Sequence, residues 1–264
     1  MGLTVSGSSL GGIIFPIMLN RLFISQGFAG GVRSSAYLVL GCLAVSNLIM
    51  RPRLPGRKKG GSPPPSPLSL FKEPKYSIAV AAAFFIALGI FFPFFYIQVY
   101  AEYNGLSQTV SFYSLAILNA ASVFGRTLPN ALADKYGVFN LILPCCFSAS
   151  VLIFAMFGAT NAGGVIAFSI IFGFFSGGYV SLLSPVFITM SKSVSEIGVR
   201  VGYAFIIVGI AALIGTPICG ALLVRTNNGF YAPIIFSGVA TALGSGLLVV
   251  ARQLQARDKN TWKV

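Results

Sequence analysis

Eight stretches of this chain, at about 2–24, 33–50, 76–101, 111–133, 138–160, 162–190, 198–223 and 229–251, are apolar over a length that can cross a bilayer as an α-helix. The second is short, at the lower limit for spanning. A soluble fold needs a polar surface, for which about 25% charged residues are usual. Here 56% of the residues are hydrophobic and 9% are charged, so the exterior must face something apolar. The expected fold class is an all-α integral membrane protein with about eight transmembrane helices. Thirty glycines fit that class, because glycine lets helix backbones approach closely. Gly7-x-x-x-Gly11 and Ser8-x-x-x-Gly12 put such a small-residue face on the first span.

The net charge of +13 invites a nucleic-acid reading, but position argues against it. Arg51, Arg53, Arg57, Lys58, Lys59, Lys72 and Lys75 lie in one polar stretch, and Arg252, Arg257, Lys259 and Lys263 lie in the tail. These flank apolar spans rather than forming a stripe on a folded surface. If the 51–75 stretch is cytosolic and the spans alternate, Lys135, Lys192 and Arg200 join the same side. The cytosolic side then holds fourteen basic residues and the other side three, Arg21, Arg33 and Arg225. This bias predicts cytosolic termini, and the expected location is the plasma membrane. The linker, with Gly60, Gly61, Pro63, Pro64, Pro65 and Pro67, favours extended or disordered chain. It divides residues 1–50, with two spans, from a six-helix piece at 76–251, and 252–264 is a cytosolic tail.

Several functions are disfavoured. There is no His, and Cys42, Cys145, Cys146 and Cys219 sit in apolar runs without C-x-x-C spacing, so no zinc site is expected. The chain has no G-x-x-x-x-G-K-[ST] loop and no deep carboxylate pair, which argues against ATP-driven transport and against an enzyme. No cofactor is expected. No N-x-[ST] sequon and no signal peptide stand out. The five acidic residues, Glu73, Glu102, Asp134, Glu196 and Asp258, all lie outside the span interiors or at their ends, so no intramembrane proton carrier is evident.

One charge does lie inside a span. Arg126 falls eight residues before Asp134, roughly 12 Å into the membrane from that edge. A charge at that depth costs several kcal/mol and is usually kept for a purpose. Substrate binding is one purpose. Bonding to backbone carbonyls, or snorkelling to the interface, is the other. Asn119 and Ser122, seven and four residues earlier, share its helical face and extend a polar stripe. Interhelical hydrogen bonding would explain them equally well.

Several motifs now converge. Gly125-Arg126-Thr127-Leu128-Pro129, followed by Leu132-Ala133-Asp134-Lys135-Tyr136-Gly137, resembles the loop signature between helices eight and nine of the major facilitator superfamily. Gly2-Leu3-Thr4-Val5-Ser6-Gly7-Ser8-Ser9 resembles the end of the helix-five signature of the monocarboxylate porter family. Arg51-Pro52-Arg53-Leu54-Pro55, Pro93-Phe94-Phe95-Tyr96, the stretch from Ser114 to Arg126, Gly173-Phe174-Phe175-Ser176-Gly177 and Gly215-Thr216-Pro217-Ile218 resemble its fungal branch. The resemblance implies that the eight spans are helices five to twelve of a twelve-helix transporter, N-terminally truncated. The absence of a charged flank before the first span fits that expectation.

The resemblance further implies a secondary transporter of a small organic anion, monocarboxylate-like, or of a fungal metabolite, working by alternating access. A transport-inactive fragment of such a protein is the alternative. The implied partners are that small molecule and the lipid bilayer, and oligomeric state is left open. The implied substrate contacts are Arg126, Asn119, Ser122 and, in helix seven, Tyr96, whose other reading is packing or an interface anchor. Gly125, Asp134, Lys135 and Gly137 form the implied gating loop motif, with Asp134 facing the start of helix five at Met1–Gly2. Animal members pair the helix-eight Arg with an Asp four residues earlier. Ser122 stands there, so proton coupling is not implied.

Overall fold

The computed structural model describes residues 2–51, 66–227 and 229–264. Every regular element among them is helical: α1 Gly2–Ile49, α2 Pro67–Phe71, α3 Pro74–Ile90, α4 Phe92–Tyr103, α5 Gln108–Tyr136, α6 Val138–Ala155, a 3-10 turn Met156–Gly158, α7 Ala162–Thr189, α8 Val194–Arg225 and α9 Tyr231–Lys259. Among the described residues, six helical segments are long and apolar enough to cross a membrane. Every one of the eight expected spans falls on a helix. The smaller count has two causes. The first two spans run together in α1, and α5, which carries the fourth, is too polar to qualify.

The chain forms two compact units. One is Gly11–Pro63, and the other joins Met1–Leu10 to Pro64–Val264. Within the first, α1 is broken at Gly27, whose φ of 71° and ψ of 175° only glycine adopts readily. The bend there is sharp. A Cβ at Gly31 would lie 3.4 Å from Leu22 Cβ, whereas residues nine apart in a straight helix are separated by about 13.5 Å. Gly27 lies in the gap expected between the first two spans. Residues 52–65 of the linker lie outside the described residues, but at its end Ser66 caps α2, accepting the Ser69 amide through its side chain. That short helix was not expected from the Pro-rich composition.

The second unit is a helical bundle in which glycines set the spacing. Where α5 meets α7, Gly125 faces the Phe174 carbonyl and Gly173 the Leu118 carbonyl, while a Cβ at Gly177 would lie 2.6 Å from the Ser122 carbonyl oxygen. On the other side of the bundle, a Cβ at Gly244 of α9 would lie 2.6 Å from the Ala82 carbonyl oxygen of α3, and Gly215 of α8 abuts Leu88. In lipid, association rests on this close packing rather than on a hydrophobic drive. A proline-marked break at Phe91 divides α3 from α4, which together supply one span.

At one end of this bundle the charged groups gather. Glu73, just before α3, receives Arg200 Nη1 at 2.8 Å and Lys192 Nζ at 2.7 Å, while Arg200 Nε reaches Glu196 at 3.2 Å. The Arg200 guanidinium also lies over the Tyr76 ring, and Tyr76 donates to the Arg200 carbonyl. Arg200 is only 1% exposed, although the sequence suggested an ordinary flanking charge. Its hydrogen bond holds the Glu73 carboxyl at about 2, against 4.5 ordinarily; burial opposes this shift and Lys192 reinforces it. Lys75 pairs with Asp258 at 2.8 Å, tying α3 to the end of α9. Beyond α9 the chain folds back under the α5–α6 turn. The Phe139 amide donates to the Val264 carbonyl at 2.9 Å, and Arg252 and Asn140 both donate to the Trp262 carbonyl.

Candidate functional site

The site is built on α5. Ser107 starts this helix by accepting the Val110 amide, and the glycine-lined contact with α7 buries its polar face. Along that face Ser111, Ser114, Asn119, Ser122 and Arg126 are all buried. Spacings of three and four residues keep such groups on one side of a helix. Ile117, Ala120 and Phe124 lie on the opposite side, where they line an apolar groove of about 530 Å³ with Ile171 and Phe174 of α7. The polar chemistry and the apolar groove are therefore on different faces.

Arg126 is 6% exposed. Its Nε donates to Ser122 Oγ at 3.1 Å, one helical turn back. Its Nη1 donates to the Val5 carbonyl at 2.8 Å and to the Ser8 hydroxyl. Ser9 Oγ and Ser122 Oγ are 3.0 Å apart. Gly2 packs beside the Arg126 carbonyl and the Asn130 side chain. Residues 2 to 9 thus descend along α5 from Asn130 towards Ser122, antiparallel to it. Ser9 is fully buried there, while Ser8 is exposed and Val5 half-buried, so the outer edge of the guanidinium lies at the rim of the packed region.

Every acceptor on Arg126 is neutral. Among the described residues no carboxylate lies within ion-pair distance of it. Arg200 is the contrast, a second buried arginine that faces Glu73 and Glu196. Burying a charge without a counter-ion costs several kcal/mol more than burying a paired one. Arg200 sits in an ion pair with two carboxylates, whereas Arg126 is held by neutral acceptors alone.

The other expected residues are distributed as follows. Asn119 Nδ2 donates to the Leu115 carbonyl at 3.0 Å, within its own helix. Tyr96 is not brought to Arg126. Its hydroxyl donates to the Thr216 carbonyl of α8 at 3.3 Å, and its ring stacks on Phe92 at 5.3 Å between centroids. Thr216 Oγ1, one residue before Pro217, is buried without a partner among the described residues. Gly125 is a helix-contact glycine. Gly137, with φ of +91°, ends α5 and is covered by Val264. Asp134 is exposed, and Lys135 lies over the Tyr136 ring at 5.3 Å. The expected approach of Asp134 to Met1 lies outside the described residues. Val5, Ser8 and Ser9, the partners of the α5 stripe, were not expected as site residues. All three lie in the helix-five signature Gly2–Ser9, and Ser8 also lies on the small-residue face of the first span.

Comparison with known proteins places this architecture. The chain is 39% identical to "MFS-type transporter 1" of Ophiocordyceps sp., over 95% of this chain and 56% of that protein. It is 37% identical to an aspyridones efflux protein of Emericella nidulans, over 96% of this chain and 51% of that one. It is 35% identical to an agnestins efflux protein of Paecilomyces divaricatus, over 96% of this chain and 57% of that one. The chain thus spans about half the length of the curated relatives it matches. Residues 1–196 match the family model described as Major Facilitator Superfamily. With that match over most of its length and an all-helical multi-pass fold, the chain belongs to the major facilitator superfamily of membrane transporters.

Proposed function

We propose that the chain works in a secondary transporter that moves a small organic anion by alternating access, with Arg126 as the receptor for the anionic group. The observation that carries this reading is the buried guanidinium with only neutral acceptors. A planar fork of N–H donors near the middle of a membrane helix fits a carboxylate or a comparable acidic oxygen. Ser122 orients the fork through Nε, and Asn119 continues the polar stripe one turn away. Tyr96, on α4, is a second contact offering a hydroxyl to a neutral part of the ligand. The monocarboxylate porter motifs support an acid as substrate. The names of the aspyridones and agnestins relatives support a fungal metabolite and outward movement. Cytosolic termini and a plasma-membrane location belong to the same proposal.

The test is substitution of Arg126 in the full-length transporter, followed by flux of a labelled monocarboxylate at equal surface abundance. Arg126→Lys keeps the charge, loses the fork and should weaken apparent affinity. Arg126→Ala should abolish carboxylate flux while insertion persists, since truncating one partner of a buried charged contact costs about 2–5 kcal/mol. Normal affinity in the alanine variant would make Arg126 structural. A transport-inactive fragment is the second reading, favoured by the half-length match to relatives. Central sites in such transporters lie between two halves. Saturable uptake by the 264-residue chain alone in liposomes would overturn it.

A further inference from the structure

The hydrogen-bond arithmetic at Arg126 leads one step further, and it rests on the receptor role just proposed. A guanidinium carries five N–H donors, one on Nε and two on each terminal nitrogen. Here Nε is taken by Ser122, and both Nη1 donors are taken, by the Val5 carbonyl and the Ser8 hydroxyl. Only Nη2 donates to no acceptor among the described residues. A forked carboxylate needs one donor from each of two nitrogens. It cannot be held without evicting a present partner.

The two edges of the fork differ in what eviction costs. Ser122 lies on the Nε edge, fully buried, one turn away on the same helix and held against Ser9. On the Nη1 edge the displaced groups keep other partners. The Ser8 hydroxyl also donates to the Val5 carbonyl at 3.0 Å. That carbonyl, inside α1, retains its helical amide. Ser8 is exposed, so an incoming ligand reaches this edge first. Displacement at Nη1 leaves no buried polar group unsatisfied.

We propose that the substrate's anionic oxygens bind the Nη1–Nη2 edge of Arg126 by replacing the one Nη1 partner on that edge, Val5 or Ser8, and that anion binding thereby loosens the segment Gly2–Leu10 from α5. Substrate and segment compete for the same donors. The contact that holds Gly2–Leu10 on α5 is the contact that the anion weakens. By linkage, whatever strengthens that contact weakens anion binding by the same factor.

The probe is benzoate, with benzamide as its neutral counterpart, applied to the purified chain in nanodiscs. The first readout is the rate of disulfide formation between Ser9→Cys and Ser122→Cys, identified as the 9–122 linked peptide to separate it from the native cysteines. Benzoate should slow that rate by roughly threefold or more at saturation, because bound anion and attached segment compete for an Nη1 hydrogen. Benzamide should not, and Arg126→Gln should make the rate insensitive to benzoate. The second readout is benzoate affinity in Ser8→Ala, an exposed position where folding is not at risk. Removing a competitor should tighten binding several-fold, whereas a serine that contacts the ligand would give weaker binding. Benzoate binding that requires Arg126, with an unchanged cross-linking rate or a weaker Ser8→Ala, overturns the displacement and leaves the receptor role standing. Binding that is the same in Arg126→Gln removes the receptor role and the displacement together.

Discussion

At the scale of single residues, the two buried arginines divide the chemistry of the chain. Arg126 was legible in the sequence, because a charge within an apolar run is conspicuous. Its partners were not, since Val5 lies 121 residues away along the chain. Arg200 was misjudged for the converse reason. It follows a turn and resembles an ordinary flanking charge, and only the fold brings Glu73 to it across 127 residues. That pair gives a pH prediction. The Glu73 carboxyl titrates near 2 in the folded protein and near 4.5 in an ordinary setting. A carboxyl with a depressed folded value contributes its full stability above the ordinary value and loses it as pH falls towards the folded one. Thermal stability in detergent should therefore decline between about pH 4.5 and 2. Glu73→Gln should flatten that decline and lower stability at neutral pH, because it leaves Arg200 with Glu196 as its one carboxylate. An unchanged slope in Glu73→Gln would show that the pair is not coupled to folding.

At the scale of helices, length and periodicity located the elements well, because apolar runs of bilayer length have one satisfactory backbone solution. Contacts between helices were less legible, since a glycine in a sequence does not announce what it faces. Gly125 was read as part of a loop motif, yet it lies inside α5 against the Phe174 carbonyl. Gly177 is the sharper case. A Cβ there would lie 2.6 Å from the Ser122 carbonyl oxygen and 2.9 Å from its hydroxyl oxygen. Backbone cannot yield as a flexible side chain does, so Gly177→Ala must push α7 from α5. Overpacking of this kind costs about 1–3 kcal/mol. The same shift moves Ser122, which orients the Arg126 fork, so ligand affinity should fall together with melting temperature. Gly209→Ala in α8 is the control. Nothing lies within 4 Å of its added methyl, and its stability should be unchanged or slightly higher. Equal melting temperatures for the two variants would refute the account of the α5–α7 contact.

At the scale of the whole molecule, charge sets the expected orientation. With eight alternating spans, fourteen basic residues would fall on one side and three on the other. Within the larger unit, groups from the crowded side are found together. Lys75 meets Asp258, Lys192 and Arg200 meet Glu73, and Arg252 meets the tail at Trp262. Such clustering is what a solvent-facing end of a membrane bundle requires, because charges left in hydrocarbon would each cost several kcal/mol. The bias of basic residues towards the cytosol predicts that this end faces the cytosol. The prediction uses Thr261→Cys, exposed in the tail, and Ser62→Cys in the linker, each in a background where exposed Cys42 is replaced by alanine. A membrane-impermeant maleimide should leave both unlabelled in intact cells and modify both after permeabilisation. Labelling of both in intact cells would invert the topology. Labelling of one alone would mean an odd number of crossings between linker and tail, against the six spans that the sequence predicts between them.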